Sequence, residues 1–264
     1  MLVIHQTKEE EMRRVSAMNL LAVGVCLALL ASGAASRPDD PPGKGPAELQ
    51  GCWKLVSIEA DGKTGDPVGG GQPRWIIKGD TVSYGGEEII RFTADPSTTP
   101  RVIDLKFRDP EGVYEGIYVV EKDTLKVCVN KRADAKDRPG VFSTKDQAEW
   151  RLLVFEREKA APDNPTEGAT AFAGVQIRTD EETKAVVVDL PIKGTPAEKA
   201  GLKKGDVILK VGAKAVTDAE DTVKAVRQTK PGDKLEFRIS RDGKEQDITV
   251  KVGVFPFHWV AGLG

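Results

Sequence analysis

Histidine, cysteine and serine are the residues from which nucleophilic catalysis is usually built, and this sequence is poor in the first two. Its only histidines are His5 and His258. A serine protease needs a histidine base beside a Gly-Asn-Ser-Gly type of nucleophile loop, and no such loop occurs here. Cysteine chemistry lacks a placed base in the same way. With no Cys-x-x-Cys and no paired histidines, metal binding is not indicated either. We therefore predict no enzyme activity, no catalytic residues, no metal and no cofactor.

The cysteines leave one alternative open. Cys26 lies in an apolar N-terminal run, so Cys52 and Cys128 are the two that remain for the folded part. An oxidising compartment would permit a disulfide between them. The alternative is two buried free thiols on strands, because spacing along the chain cannot establish disulfide geometry.

Apolar residues at helical spacing are the next candidates. Asp218 suits the N-cap of a helix that Pro231-Gly232 would stop. Within that helix Ala219, Val223 and Val226 have the spacing i, i+4, i+7, which puts them on one face. The face is either ordinary core or one wall of a binding groove.

Residues 194–209 (GTPAEKAGLKKGDVIL) carry the most specific pattern in the chain. Pro196 suits the first turn of a short helix, and Gly201 its left-handed end. The stretch closely resembles the core of PDZ domains of the bacterial trypsin-like heat-shock protease type. The resemblance covers residues 170–252 and implies a β-sandwich capped by two helices.

PDZ domains bind an extended peptide as an added strand between a β-strand and a helix, and they hold its terminal carboxylate on a glycine-containing loop. By resemblance, that loop comprises Phe172, Ala173, Gly174 and Val175. The groove walls would be Ala173, Val175 and Ile177 on the strand, facing Ala219, Val223 and Val226 on the helix.

Two positions depart from the family pattern. Ala219 stands where modules that select Ser or Thr carry histidine, which favours an apolar peptide residue there. Ala173 stands where the family usually has Leu or Ile. We hypothesise that this smaller wall tolerates a bulky terminal side chain.

The region before this module alternates short strand patterns with turn signals such as Asp61-Gly62 and Gly85-Gly86. Ile103, Leu105 and Phe107 alternate with polar neighbours, which is the period of a half-buried strand. About eight antiparallel strands predict a closed up-and-down barrel, and a two-sheet sandwich is the alternative. The predicted strands are 51–59, 74–78, 81–84, 88–93, 102–107, 113–120, 124–129 and 149–156.

Several segments of residues 47–157 extend this interpretation, among them 49–57 (LQGCWKLVS), 76–80 (IIKGD) and 123–128 (DTLKVC). They resemble an uncharacterised lipocalin-like domain family found in planctomycete secreted proteins, which implies a mainly β protein with a lipocalin-like barrel. The Gly51-x-Trp53 pattern implies a barrel plug, in which Arg151 or Arg157 covers the indole.

The N-terminus has the features of a targeting segment. Arg13 and Arg14 precede an apolar run at 20–31, and small residues follow it. The run is shorter than the roughly 20 residues of a transmembrane helix, so residues 1–35 are predicted to be a signal peptide cleaved near Ala35. An uncleaved membrane anchor is the alternative, and the true start is either Met1 or Met12.

Composition defines the remaining segments and partner classes. Residues 36–46 and 158–169 are rich in Pro, Gly and charge and are predicted to be a disordered leader and a linker. Residues 253–264 form an apolar tail that either docks on the module or contacts a partner. The net charge of −2 gives no electrostatic reason to expect nucleic acid as a partner.

The sequence thus predicts an extracytoplasmic, periplasmic or secreted adaptor that binds protein C-termini or extended peptides, without a stable membrane span after signal cleavage. The alternative is a carrier with a small apolar ligand inside the barrel, for which the PDZ module serves as a dock.

Overall fold

The computed structural model describes residues 45–67, 69–109 and 111–263, and within those ranges eight antiparallel strands close into a barrel. Each of these eight strands pairs with the next one along the chain, and the first, β1 (Gly51–Ala60), closes the sheet by pairing with the last, β9 (Trp150–Glu158). A short extra strand, β2 (Lys63–Gly65), pairs with the far end of β1, outside the closed sheet. The strands are β1 Gly51–Ala60, β2 Lys63–Gly65, β3 Arg74–Lys78, β4 Thr81–Tyr84, β5 Glu87–Asp95, β6 Arg101–Arg108, β7 Glu111–Glu121, β8 Thr124–Asn130 and β9 Trp150–Glu158.

Alternation along these strands builds the barrel core. In β6, Ile103, Leu105 and Phe107 are buried, whereas the residues between them are partly exposed. Buried aromatic rings from other strands fill the same interior. The predicted barrel is confirmed, and its strands begin and end within two residues of the predicted positions.

The second half of the chain forms a separate sheet with helices beside it. Its strands run in the order β11-β12-β13-β15-β16, with β14 paired to β13. Their bounds are β11 Val175–Thr179, β12 Val186–Pro191, β13 Val207–Val211, β14 Lys214–Ala215, β15 Lys234–Arg241 and β16 Lys244–Lys251, and the helices are α1 Pro196–Ala200 and α2 Ala219–Arg227.

Two short strands frame this module. β10 (Ala171–Phe172) precedes it and pairs with β17 (Gly253–Val254), which follows it. Val188, Phe237 and Val250 are fully buried in a core of its own. Asp206 is also buried there, where Arg241 binds its carboxylate at 2.6 Å.

The predicted apolar tail has a definite place in the structure. The C-terminal tail, residues 253–263 in the described part, begins with β17 and ends with α3 (Phe257–Val260). Phe257, Val260 and Leu263 are buried in the same cluster as the barrel interior. The tail therefore leaves one module and packs its apolar side chains into the other.

The predicted linker is hydrogen-bonded to the barrel at its C-terminal end. Gln72 N–H donates to the Gly168 carbonyl at 2.7 Å, and the Arg74 guanidinium donates to the Glu167 carbonyl at 3.0 Å. The Thr170 hydroxyl donates to the Gly70 carbonyl at 2.7 Å. The predicted signal peptide and residues 36–44 of the predicted leader lie outside the described residues.

Cys52 and Cys128 are both buried and both free thiols. Burial raises the pKa of the Cys128 thiol to about 12. Burial and the neighbouring Glu158 carboxylate raise the pKa of Cys52 as well. Since the thiolate is the reactive form, these raised pKa values favour the less reactive protonated thiol at both cysteines.

Candidate functional site

A cleft of about 190 Å³ lies between strand β11 and helix α2. β11 is the first strand in its sheet and, among the described strands, pairs only with β12. Its other edge is therefore available for pairing with a further extended chain. The cleft is lined by Ala171, Phe172, Ala173, Gly174, Val175, Ile177, Thr222, Val223, Val226, Arg227 and Phe255, which we call the groove.

The loop at the start of β11 has an unusual backbone. Gly174 has a φ of +79°, and a Cβ atom there would collide with the Thr195 side chain. The Gly174 carbonyl accepts hydrogen bonds from the Thr195 hydroxyl and from Ile192 N–H, and the Ala173 carbonyl accepts one from Ala197 N–H. Glycine is required because only it adopts this conformation and allows this approach.

The backbone N–H groups of Ala173 and Gly174 differ from the carbonyl groups of the same two residues, which accept hydrogen bonds. In the described part of the chain, no backbone hydrogen bond uses the N–H of Ala173 or Gly174 outside the strand ladders. Buried N–H groups normally have an acceptor. Ala173 and Gly174 are both buried, and both line the cleft.

Helix α2 is fixed at both its cap and its contact with β11. The Asp218 carboxylate accepts a hydrogen bond from Asp221 N–H at 2.8 Å, which caps the first turn. Ala219 N–H donates to the Thr179 hydroxyl at the end of β11, at 3.0 Å. These contacts set the separation between the strand and the helix at this end of the groove.

The helix presents both apolar and polar side chains to the groove. Val223 is 39% exposed, which is high for a large aliphatic residue, whereas Val226 is 8% exposed. Thr222 is buried, and its hydroxyl has no hydrogen-bond partner among the described residues. Arg227 is the one charged residue that lines the groove in the described part of the chain. The groove is thus an apolar channel with a cation beside it.

The structure brings together most of the predicted groove residues. Phe172, Ala173, Gly174, Val175 and Ile177 line it from the strand side, and Val223 and Val226 line it from the helix. Ala219 does not line the cleft; it lies at the N-terminal end of α2, where its backbone binds Thr179.

Sequence reasoning missed Ala171, Thr222, Arg227 and Phe255, which also line the groove. Thr222 and Arg227 are each next in the chain to a predicted wall residue, but a polar residue on a helix is ordinarily assigned to the solvent-exposed face. Phe255 lies beyond the module, in the apolar tail, and its aromatic character was the available signal.

The two residues of the predicted barrel plug, Gly51 and Trp53, both lie beside Arg157 in the structure. The Arg157 guanidinium covers the ring of Trp53, and the Trp53 indole N–H donates to the Leu49 carbonyl at 2.7 Å. Gly51 has a φ of +119°, and a Cβ atom there would lie 3.1 Å from the Arg157 guanidinium. The glycine therefore leaves room for the arginine that covers the indole.

The described residues include no group of three or more His, Cys, Asp or Glu side chains placed to hold a metal ion. His258 lies in the C-terminal tail, and burial lowers its pKa. None of the helices in the described part is long and apolar enough to cross a membrane.

Comparison with known proteins concerns the second module. Residues 172–252 match the PDZ domain family. Over 76 residues the chain is 37% identical to a "Probable periplasmic serine endoprotease DegP-like" of Bartonella henselae, covering 29% of this chain and 15% of the relative. The corresponding protein of Rhizobium meliloti is 36% identical over 76 residues, with the same coverage. The chain thus matches about 15% of the length of these curated relatives.

Among solved structures, the HtrA3 PDZ domain bound to a phage-derived ligand (FGRWV) has 20% sequence identity and a TM-score of 0.29, covering 32% of this chain and 86% of that one. The predicted PDZ module of the DegP-like type is confirmed by the family match and the curated relatives. The lipocalin-like family resemblance of residues 47–157 stays a prediction.

Proposed function

We propose that this protein is an extracytoplasmic adaptor whose groove binds protein C-termini or extended peptides by strand addition to β11. Among the described residues, β11 has an unpaired edge, and the N–H groups of Ala173 and Gly174 make no backbone hydrogen bond outside the strand ladders. This combination is the observation that carries the proposal. Strand addition would satisfy the edge, and a terminal carboxylate would satisfy the loop.

The side chains of the groove support the same ligand. A peptide bound along β11 would cover the exposed part of Val223, and that burial is favourable at about 25 cal/mol per Å². Arg227 adds a positive charge that would attract a terminal carboxylate. The curated relatives named as periplasmic endoproteases support the location, since they match this chain across the PDZ region.

The absence of catalysis is part of the proposal. Its support is the scarcity of histidine, because His258 is in the C-terminal tail and His5 precedes the described residues. A carrier function has less support: Trp53, Trp75 and Phe155 are fully buried inside the barrel together with the tail side chains.

The test is a fluorescence-anisotropy screen of peptides with free and amidated C-termini, using the wild type, Val223→Glu and Gln176→Glu. Val223→Glu puts a carboxylate into the groove, where it would repel the terminal carboxylate of a peptide and would have to be desolvated under the bound chain, so binding should weaken by at least about tenfold. Gln176→Glu adds the same charge on β11, at an exposed position that does not line the groove, and should bind like the wild type.

Amidation should weaken binding as well, because it removes the carboxylate that the loop would hold. If folded Val223→Glu binds peptides as tightly as the wild type, the groove assignment is wrong. If the folded wild type binds no peptide of either kind, the proposed function is wrong.

A further inference from the structure

A residue outside the PDZ family match forms part of the groove. The match ends at residue 252, and Phe255 follows in the C-terminal tail. Phe255 N–H donates to the Thr170 carbonyl at 2.8 Å, which extends the pairing of β10 with β17 by one residue. Its ring stands perpendicular to that of Phe172, with centroids 5.4 Å apart. Phe255 is thereby placed next to the loop that would hold a terminal carboxylate.

Neighbours on three sides hold the Phe255 ring. Trp259, one turn further along the tail, lies 5.8 Å from it and 5.3 Å from Phe172, both measured between centroids. On the barrel side the ring packs over Gly69, where a Cβ atom would lie 3.3 Å from it. Edge-to-face contacts of this kind favour a fixed mutual orientation.

The barrel anchors the remainder of the tail. The Phe257 ring lies 5.1 Å from Trp75 and 5.4 Å from Tyr84, and it is 3% exposed. Val260 and Leu263 are buried in the same cluster. The position of Phe255 is therefore fixed by a second module and not only by the PDZ sheet.

The groove is small for a site that would hold several side chains of a bound peptide. Its volume is about 190 Å³, whereas sites for drug-sized ligands are typically about 300–1,000 Å³. It also runs from the loop along β11 to Ile177, so more than one peptide side chain has to share it. Near the loop the lining combines two small residues, Ala171 and Ala173, with two bulky ones, Phe172 and Phe255.

From this geometry we infer that Phe255 determines the terminal-residue specificity of the groove, an inference that rests on the proposed function. Ala173 alone favoured a wide terminal pocket, but Phe255 lines the same cleft, and its ring would occupy that space. The expectation for the terminal residue is therefore reversed. The wild type should select a compact aliphatic terminal residue such as valine over phenylalanine or tryptophan. Forcing a second ring into a closely packed site displaces its neighbours and costs binding energy.

The test uses peptides that are identical except for a terminal Val, Phe or Trp. Affinities are measured by fluorescence anisotropy for the full chain and for Phe255→Ala. The wild type should prefer Val, and Phe255→Ala should shift the Phe-to-Val affinity ratio at least about tenfold toward Phe, because the vacated volume accepts a ring. Phe255→Leu, which keeps an apolar side chain if the alanine variant is unstable, should shift the ratio in the same direction by less.

The matched control is Phe257→Ala, the same substitution two residues further along the tail. Phe257 lies in the barrel cluster and does not line the groove. This variant should unfold at lower denaturant concentration. It should shift the Phe-to-Val ratio by much less than Phe255→Ala, because Phe172 and Trp259 still contact the Phe255 ring.

Three results would overturn the inference. The first is a wild type that binds Phe-ending peptides as tightly as Val-ending ones. The second is a folded Phe255→Ala variant with an unchanged Phe-to-Val affinity ratio. An equal shift in Phe257→Ala would assign the effect to general loosening of the tail. In all three cases the peptides still bind, so the proposed function stands; absence of any binding to the wild type would instead contradict both.

Discussion

The guanidinium carbon of Arg157 lies 3.9 Å from the centre of the Trp53 ring. Arg157 also donates hydrogen bonds to the carbonyls of Glu48 and Gln50, both at 2.7 Å. One side chain from β9 thus covers the buried indole of β1 and binds the segment that leads into it. These contacts join the first and last strands of the barrel through their side chains as well as their backbones.

Replacing this arginine should weaken the barrel measurably. Arg157→Met keeps an apolar stem but removes the charge and both hydrogen bonds, so we expect a loss of about 2 kcal/mol in the free energy of unfolding. Urea denaturation followed by tryptophan fluorescence measures it. Arg151→Met is the matched control, because Arg151 was the other sequence candidate and donates its hydrogen bonds to the local carbonyls of Ala148 and Trp150. Equal losses in both variants would contradict a special role for Arg157.

Gly174→Ala should damage the groove in two ways. The alanine would have to adopt the positive φ of Gly174, which residues with a side chain rarely do. Its Cβ atom would also collide with the Thr195 side chain. We expect a stability loss of about 1–3 kcal/mol together with weakened peptide binding.

The comparison variant is Gly201→Ala, which has a similar φ of +92° at the end of α1 but no atom within 4 Å of the added Cβ. Urea denaturation and peptide titration on both variants separate backbone strain from collision. A Gly174→Ala protein that binds peptide like the wild type would exclude this loop from carboxylate binding.

Arg227→Gln tests the charge beside the groove. If the guanidinium attracts a terminal carboxylate, the variant should bind free-carboxylate peptides about two- to fivefold more weakly, the range of a solvent-exposed ion pair. Amidated peptides should bind the variant and the wild type equally. Lys224→Gln removes the same charge from an exposed position on α2 outside the groove and should leave both affinities unchanged. Equal weakening for free and amidated peptides would show that Arg227 acts by packing instead.

The ion pair between Arg74 and Glu158 should make stability depend on pH. Arg74 binds the Glu158 carboxylate at 2.6 Å, and this hydrogen bond lowers the pKa of Glu158 below its usual 4.5. Because the folded pKa is lower than the unfolded pKa, the contribution is present above about 4.5 and is lost as pH falls below it.

Denaturant midpoints measured at neutral and at acidic pH test this dependence. Glu158→Gln cannot titrate at this position, so its midpoint should fall less than that of the wild type on acidification. Glu121→Gln removes a carboxylate from an exposed pair with Lys126 and should retain the wild-type pH dependence. If Glu158→Gln shows the same acid-induced loss as the wild type, the pair does not contribute.

Local signals in the sequence account for the elements that could be predicted. Turn dipeptides such as Asp61-Gly62 separate the strands, and both residues have positive φ in the structure. The period of two in β6 gave the buried set of Ile103, Leu105 and Phe107. The helical period placed Val223 and Val226 in the groove, because side chains four and three residues apart share a face.

Contacts between modules could not be predicted in this way. Phe257 packs against Trp75 and Tyr84, which are far from it in the chain and belong to another module. Composition identified the tail as apolar but did not identify its binding site. Thr222 shows a second limit. A threonine on a helix gives no sign that its hydroxyl will be buried without a partner in the part of the chain that the structure describes.

With the C-terminal tail, the second module has two covalent connections to segments anchored at the barrel, one at its start and one at its end. The chain enters the module after the segment bound to Gln72 and leaves it through a helix buried among barrel side chains. A nick in residues 159–165 would therefore produce two fragments that remain associated through the tail. The same arrangement makes the chain suited to reconstitution from two separately expressed halves, with the tail as the complementing piece.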